Sequence, residues 1–295
     1  MKILAFKTCF ILVLIMNSVS YAGETGHYVN GVEGIKVATI PPPGFYYLMY
    51  NTFYNTDVSM DKHGNKLDIG FDASIYAMAN RFVWISEHKI LGADYGLNVV
   101  IPLINTDIKV LGNKDKQFGL GDIYIEPLLL RWSKSRYDIS IGAGIYLPTG
   151  DHGELASPGK DFWTGMFSLG GTYYFDEDKT WSGSILARYE IHSEKDDVDI
   201  TPGNDFHFEW GLGKTVAPGL DLGISGYAQW QISDDSGSDV VWDKNVHDQV
   251  FAIGPEVKLF IPSLKSFISF RSQWEFDAED RSEGHIMNLT FIKMF

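Results

Sequence analysis

The chain has 295 residues and a formal net charge of −14 at pH 7, so it lacks the basic surface that binds nucleic acid, and no nucleic acid partner is expected. Hydrophobic residues make up 45% of it, yet no stretch after the first 22 residues is long and apolar enough for a transmembrane helix. Any residence in a membrane must then be through β-strands, because only helices and closed barrels satisfy their backbone hydrogen bonds in lipid.

Residues 1–22 have the three parts of a secretory signal peptide. Two lysines supply the positive charge, residues 10–16 form the apolar core, and Ser20-Tyr21-Ala22 is a small-x-small cleavage site. The apolar run is shorter than the roughly 18 residues expected of a spanning helix. The single cysteine, Cys9, leaves with the peptide, so the predicted mature chain has no disulfide and no thiolate site.

Residues 23–43 show neither helical nor strand periodicity and end in three prolines, which lack hydrogen-bond donors and cannot join a β-ladder. Two placements are open: a periplasmic tail, or a plug that folds into the barrel from the periplasmic end. Val32, Ile35, Val37 and Ile40 would anchor a plug. Inside, Glu33 or Lys36 would pair with charged wall residues such as Arg188, Glu209 or Arg271, because charges in a confined lumen need partners.

Residues 44–295 are predicted to form an all-β, antiparallel transmembrane outer-membrane β-barrel. In residues 205–233, two arms around Ala217-Pro218-Gly219 alternate strictly between apolar and polar or small side chains, which indicates β-strands. Each arm is roughly twice the usual strand length of about 5–6 residues. A tilted strand that crosses a bilayer needs about 9–11 residues, with apolar side chains facing lipid.

Twelve such segments are predicted, with ten or fourteen as alternatives. They span 45–56, 66–86, 89–104, 119–132, 137–148, 162–176, 180–192, 204–216, 219–233, 247–261, 264–277 and 284–295. The connections alternate between short turns, the first at Glu87-His88, and longer loops, one of them at 105–118. This alternation is expected of a barrel with periplasmic turns and extracellular loops. An even number of strands places both termini in the periplasm.

The last strand carries Met287, Leu289 and Phe291 on one face and ends in Phe295. Outer-membrane proteins commonly end in this way, which predicts recognition of the last strand by the outer-membrane assembly machinery. Aromatic residues near the segment ends suit two interfacial girdles. The predicted location is the outer membrane of a Gram-negative cell, in contact with membrane lipid and lipopolysaccharide.

The alternation also predicts which side chains line the lumen. The candidates are Asp122, Tyr124, Glu126, Arg188, Glu190, His192, His207, Glu209, Tyr227, Gln229, Glu256, Lys258, Arg271, Gln273 and Glu275. They form either a polar conduit for a solute or an interior ionic network that fills the barrel. A twelve-stranded barrel lies between the filled eight-stranded size and the open sixteen-stranded size, and a narrow path is compatible with such a network.

An enzyme is the competing class, because barrel hydrolases place a nucleophile and a base on one wall. His207 and Glu209 share a face without a nucleophile, and His192 and Ser193 point in opposite directions. No catalytic residue, metal site or cofactor is predicted. The acidic loop clusters 196–199 and 234–239 could bind a divalent cation outside the cell, but they lack the spacing of a calcium loop and are interpreted as solvated carboxylates. The same loops would serve a structural or surface-interaction barrel.

Several motifs together resemble the outer-membrane family labelled "MetA-pathway of phenol degradation". They are HYVNGVEGIK at 27–36, PPPGFY at 41–46, GLGDIYIEP at 119–127, YLPTG at 146–150 and PGKDFW at 158–163. Asn30 departs from the pattern, in which proline is expected. The resemblance implies a channel or transporter for a small hydrophobic or aromatic molecule, and this solute class rests on the resemblance alone.

Overall fold

The structure is a computed structural model and describes residues 25–295, so the predicted signal peptide lies outside the described residues. Strand segments form one antiparallel sheet. They are β1 Gly44–Thr56, β2 Asp72–Ile90, β3 Ala93–Val110, β4 Asn113–Leu120, β5 Ile123–Ser133, β6 Tyr137–Leu147, β7 Thr164–Tyr174, β8 Trp181–His192, β9 Asp205–Ala217, β10 Leu220–Gln231, β11 Gln249–Ile261, β12 Ser266–Glu279 and β13 His285–Met294. Because β1 pairs with both β2 and β13, the sheet closes into a barrel.

Two of the strand segments form a single strand of the barrel wall. β4 pairs with the second half of β3, and β5 pairs with its first half, so the two are collinear parts interrupted at Gly121-Asp122. The barrel therefore has twelve strands. The prediction of an antiparallel outer-membrane barrel of twelve strands is confirmed, and the alternatives of ten and fourteen are wrong.

The predicted long loop at 105–118 is wrong. These residues form the distal part of a β-hairpin that turns at Leu111-Gly112, both with positive φ (52° and 81°). Asp107 accepts ion pairs from Lys114 and Lys116, each at 3.3 Å. β4 pairs with β3 alone, and Asp115 on it accepts the amide of Ala156 at 2.9 Å. The strands therefore continue after the apolar alternation has ended.

The first short turn also lies elsewhere than predicted. β2 continues to Ile90, and the chain turns at Leu91-Gly92 rather than at Glu87-His88. Leu91 and Gly92 adopt positive φ values of 51° and 79°, close to those of the other Leu-Gly turn. Leucine is uncommon in such turns, so the sequence pattern placed the turn at the polar pair Glu87-His88 instead.

The outer face of the barrel carries the apolar side chains. On β9 and β10, Leu212, Leu222 and Ile224 are exposed, whereas Glu209 and Ser225 between them are fully buried inside. The predicted inside-out hairpin is thus observed. Among the described residues, no helix is long and apolar enough to cross a membrane.

The two ends of the barrel differ in their connections. Tight turns join β2 to β3, β5 to β6, β7 to β8, β9 to β10 and β11 to β12, and at this same end the Phe295 amide donates to the Phe45 carbonyl at 3.1 Å. Longer connections lie at the other end. In outer-membrane barrels the short turns are periplasmic and the long loops extracellular, and the two ends are named accordingly below.

Candidate functional site

The chain before β1, described from Thr25 and here called the N-terminal segment (residues 25–43), lies inside the barrel. At its start, His27 contacts Thr164 at the extracellular end of β7. At its other end, Thr39 donates to Asp138 at the periplasmic end of β6, at 3.0 Å. The segment therefore runs through the lumen from the extracellular end to the periplasmic end.

Buried carboxylates of the wall hold the backbone of the N-terminal segment. Glu190 accepts the amides of His27 and Tyr28 at 2.9 and 3.0 Å. Glu209 accepts the amide of Glu33 at 3.1 Å, and Glu256 that of Ile35 at 2.8 Å. A buried segment without regular structure must satisfy its N–H groups by other means, and these carboxylates replace a neighbouring strand.

Donors on the strands that follow β11 satisfy backbone carbonyls of the same segment. Arg271 donates to the Val32 carbonyl, and the Asn288 amide donates to the Gly31 carbonyl at 2.7 Å. Both donors lie on β12 and β13. In the middle of the segment, acceptors of the wall thus bind backbone amides, and donors of the wall bind backbone carbonyls.

The charged side chains of the segment use other partners than the predicted ones. Glu33 pairs with Arg81 at 2.9 Å and also accepts from Tyr50 at 3.3 Å. Lys36 pairs with Asp221 at 3.0 Å. The expected side-chain pairs with Arg188, Glu209 and Arg271 are not made by these two residues, because Arg188 and Arg271 already pair with Glu209 and Glu256 at 2.8 and 3.2 Å.

The ring of His27 is enclosed at the extracellular end. Its Nε2 lies 3.0 Å from Asp122 Oδ2, and its Nδ1 lies 2.6 Å from the Thr164 hydroxyl. Tyr146 stacks on it with a centroid distance of 4.9 Å. Burial lowers the pKa of His27, and the hydrogen bond to Asp122, which acts in the opposite direction, does not cancel this effect.

Tyr28 is held on three sides. Its hydroxyl donates to Glu209 at 2.6 Å, the Arg188 guanidinium lies 4.0 Å above its ring, and His207 stacks on it at 4.8 Å. Burial raises the pKa of Tyr28 well above its ordinary value, so the hydroxyl stays protonated and remains a donor.

The structure places all fifteen lumen candidates on the inner side. Those that contact the N-terminal segment directly are Asp122, Arg188, Glu190, His207, Glu209, Gln229, Glu256 and Arg271. The others bond mainly to the wall: Tyr124 to Glu126 at 3.2 Å, Tyr227 to Glu275 at 2.6 Å, Gln273 to Ser225 at 3.1 Å, His192 to Thr164 at 2.7 Å, and Lys258 over the Phe267 ring at 5.2 Å.

Several wall residues that hold the segment were not among the candidates. Arg81, Asp138, Thr164 and Asp221 all bond to it. The same alternation would have identified Arg81 on the second predicted strand and Asp138 on the fifth. Asp122 and Glu190 were predicted to line the lumen because they are charged, whereas Thr164 is uncharged and nothing in the sequence distinguishes it.

A cavity of about 1260 Å³ remains around the N-terminal segment and is lined by residues from all sides of the barrel. Its lining on β2 and β3 is mostly apolar, although Arg81 and Thr106 also belong to it. The apolar side chains there are called here the apolar wall (Ile75, Ala77, Ala79, Val100, Pro102 and Ile104). The lining reaches from Leu155 in an extracellular loop to Met294 at the periplasmic end. The lining is thus mixed, with the apolar wall on β2 and β3 and with charged groups on β8–β12, several of which also hold the segment.

The connection between β6 and β7, here called the inner loop (residues 148–163), folds over the extracellular end of this cavity. Asp122 accepts the amides of Thr149, Gly150 and Lys160 at 2.9, 2.9 and 2.8 Å. The same carboxylate accepts from His27. One buried carboxylate therefore joins the inner loop, the wall and the N-terminal segment.

The acidic loop clusters mainly organise the loops themselves. Asp199 accepts the amide and hydroxyl of Ser238 at 2.9 and 2.7 Å, and Asp235 accepts the amide of Gly203 at 2.8 Å and the indole of Trp242 at 2.6 Å. These hydrogen bonds show that Asp199 and Asp235 hold the loops in their conformation.

A closed twelve-stranded barrel with an apolar exterior and a charged interior defines an outer-membrane β-barrel protein. The chain belongs to the family described as "Putative MetA-pathway of phenol degradation", whose profile matches residues 56–291. No curated protein matches the sequence.

Two solved structures illustrate the similarity of the fold. The COG4313 outer membrane channel from Pseudomonas putida F1 is 13% identical, with 92% of this chain and 100% of that chain covered and a TM-score of 0.77. The β domain of the Bordetella autotransporter BrkA is 11% identical, with 86% and 100% covered and a TM-score of 0.51. The prediction that the chain is not an enzyme agrees with the family and with these structures.

Proposed function

We propose that the protein is an outer-membrane channel through which a small hydrophobic or aromatic molecule crosses along the apolar wall. The single observation that carries this proposal is the cavity of about 1260 Å³, apolar on β2 and β3, which reaches from the extracellular loops to the periplasmic end. A lumen for ions or sugars has no need of such a lining, whereas an apolar solute binds to it without losing hydrogen bonds to water.

The comparisons support the same function. The similar barrel from Pseudomonas putida is described as a channel, and the family is named for phenol degradation. Phenols combine an aromatic ring with one polar group, and a mostly apolar passage with polar groups such as Arg81 and Tyr50 at its side suits that chemistry.

Export and assembly complete the proposal. Residues 1–22 direct the chain across the inner membrane and are removed, and the last strand with Phe295 is recognised by the outer-membrane assembly machinery. Residues 23–43, which include the N-terminal segment, act as a plug that narrows the passage. A structural barrel without a passage is the second candidate, because the ionic network of β8–β12 fills that half of the lumen, and transport measurements separate the two.

The test uses protein reconstituted in liposomes and the uptake of phenol-like and small polar solutes. Ala77→Ser, Ala79→Ser and Val100→Thr together make the apolar wall polar with little change in volume. We expect slower uptake of the aromatic solute and unchanged uptake of a polar solute of equal size. A lipid-facing change, Val99→Thr, is the matched control on β3. Equal uptake of the aromatic solute by protein-free and protein-containing liposomes would contradict channel function.

A further inference from the structure

A compact group of metal-binding side chains lies below the extracellular end of the lumen. His192 Nε2 lies 3.1 Å from Asp205 Oδ2 and 4.0 Å from Glu190 Oε2. One ligand atom from each of the three residues lies within 4.8 Å of the others, and all three side chains are buried. β8 and β9 are paired here, so the backbone fixes the distances between the ligands.

Histidines are paired with the carboxylates of this group. In the described part of the chain, the cationic groups within 4.0 Å of Glu190 and Asp205 are histidines. Each buried carboxylate needs a compensating charge, because burial of an ionised carboxylate without one is strongly unfavourable. The two backbone amides on Glu190 supply hydrogen bonds but no net charge.

Thr164 links His192 to the N-terminal segment. Its hydroxyl lies 2.6 Å from His27 Nδ1 and 2.7 Å from His192 Nδ1. His192 Nε2 faces Asp205 Oδ2 at 3.1 Å. A hydrogen bond on the second ring nitrogen orients the imidazole in the same way in metal-binding histidines.

A second buried histidine lies beside this group. His207 is 1% exposed, and its Nε2 lies 3.4 Å from Glu190 Oε1. Among the described residues, no closer acceptor meets its ring nitrogens. Glu190 therefore lies between two histidines, His192 and His207.

We propose that Glu190, His192 and Asp205 form a binding site for a divalent transition-metal ion of the zinc type. Mixed nitrogen and oxygen ligands suit Zn²⁺. Two ligand atoms about 2.0–2.2 Å from a tetrahedral ion lie roughly 3.3–3.6 Å apart. The 3.1 Å between His192 and Asp205 needs only a small adjustment to admit the ion.

The ion would also fix the start of the N-terminal segment. The position of a Cβ on Gly26 would be 2.4 Å from Asp205 Oδ2 and 2.5 Å from Glu190 Oε2, so the backbone of the segment covers the group and only glycine fits there. Glu190 at the same time holds the amides of His27 and Tyr28. Metal binding and docking of the segment are therefore coupled.

The test measures Zn²⁺ binding to the full mature protein, folded in detergent and stripped with a chelator. A second histidine-carboxylate group at the surface, His152 with Asp161 and Asp197, is removed by His152→Ala in every sample. We expect one Zn²⁺ per barrel in competition with a chromophoric chelator, and at least a tenfold weaker affinity in His192→Gln and Asp205→Asn. Unchanged affinity in both folded variants, or no Zn²⁺ bound by the His152→Ala protein, overturns the proposal.

A spectroscopic measurement on the protein without changes at the site keeps the test decisive if the variants do not fold. Co²⁺ added in place of Zn²⁺ should give the intense visible absorption of a low-coordinate ion and hyperfine-shifted imidazole proton signals in NMR spectra. The faint absorption of hydrated Co²⁺ without shifted imidazole signals would overturn the site. Neither readout depends on solute transport, so the site and the proposed channel are tested separately.

Discussion

Single buried carboxylates on the wall determine where the N-terminal segment lies. Glu190, Glu209 and Glu256 accept its amides, and their inward direction follows from the alternation of β8, β9 and β11. Their partners could not be predicted from the sequence, because a segment without periodicity gives no register against the wall. The pairs of Glu33 and Lys36 were assigned to the wrong partners for the same reason.

Gly34→Ala should release the middle of the segment. The new Cβ would lie 1.8 Å from Glu256 Oε2, so Glu256 must leave the Ile35 amide and strain its pair with Arg271. The loss of a charge-assisted hydrogen bond of about 1.5–3 kcal/mol corresponds to roughly 10- to 150-fold faster amide exchange at Ile35. Gly165→Ala is the control, because its Cβ meets no atom within 4 Å. Equal exchange in both variants would contradict the role of Gly34.

Ile224→Lys should destabilise the barrel in bilayers by about 2–4 kcal/mol, because Ile224 faces lipid near the middle of β10. Val216→Lys, near the periplasmic end of β9 on the same outer face, should cost only about 0–1 kcal/mol. The free energy of unfolding in urea with lipid vesicles gives both values. Similar costs at the two positions would show that the assumed membrane depth is wrong. A lysine at the inward-facing Ser225 does not serve as a control, because the Ser225 side chain is fully buried and accepts a hydrogen bond from Gln273.

At the scale of elements, strands were predicted far better than loops. The alternation identified the strands that face lipid on one side, because that pattern is enforced by the membrane. The extended hairpin of β3 and β4 has one exposed face and one face that contacts the inner loop, and neither face shows a regular apolar alternation, so the sequence resembled a loop. The inner loop was predicted as a loop, but its inward fold depends on Asp122, whose partners lie 27 or more positions away in sequence.

Asp122→Ala should open the inner loop. Without the carboxylate, the amides of Thr149, Gly150 and Lys160 lose their acceptor in a buried position. We expect proteases added to intact cells to cleave within 148–163 at least tenfold faster than in the unchanged protein. Asp107→Ala on the exposed hairpin is the control, because surface ion pairs contribute little to stability. Cleavage that is equally slow in both variants would contradict the role given to Asp122.

On the scale of the whole molecule, the long connections lie at one end of the barrel and should therefore lie on one side of the membrane. Cysteines introduced at Asp197 and Ser236 should react with an impermeant label on intact cells, whereas cysteines at Lys134 and Asp178 should not. The predicted mature chain has no cysteine, so the label reacts only with the introduced one. Labelling at the short turns from outside would reverse the orientation.

The strand number, the closure and the inside-out pattern of the barrel followed from the sequence, because length and alternation are local properties. The distribution of apolar and charged side chains along the lumen did not follow from the sequence, because it depends on where the N-terminal segment lies inside the barrel. The position of the segment determines the width and chemistry of the proposed passage.

The most direct test of the account is the conductance of a protein from which residues 23–39 are deleted, with the signal peptide and the three prolines retained. The barrel should still fold, because its strands pair without the segment and water can hydrate the exposed carboxylates and arginines. In planar bilayers we expect a conductance several times that of the full mature protein, together with entry of small polar solutes into liposomes. A correctly folded deletion protein with unchanged conductance and no gain in polar solute entry would contradict the conclusion that the segment restricts the lumen.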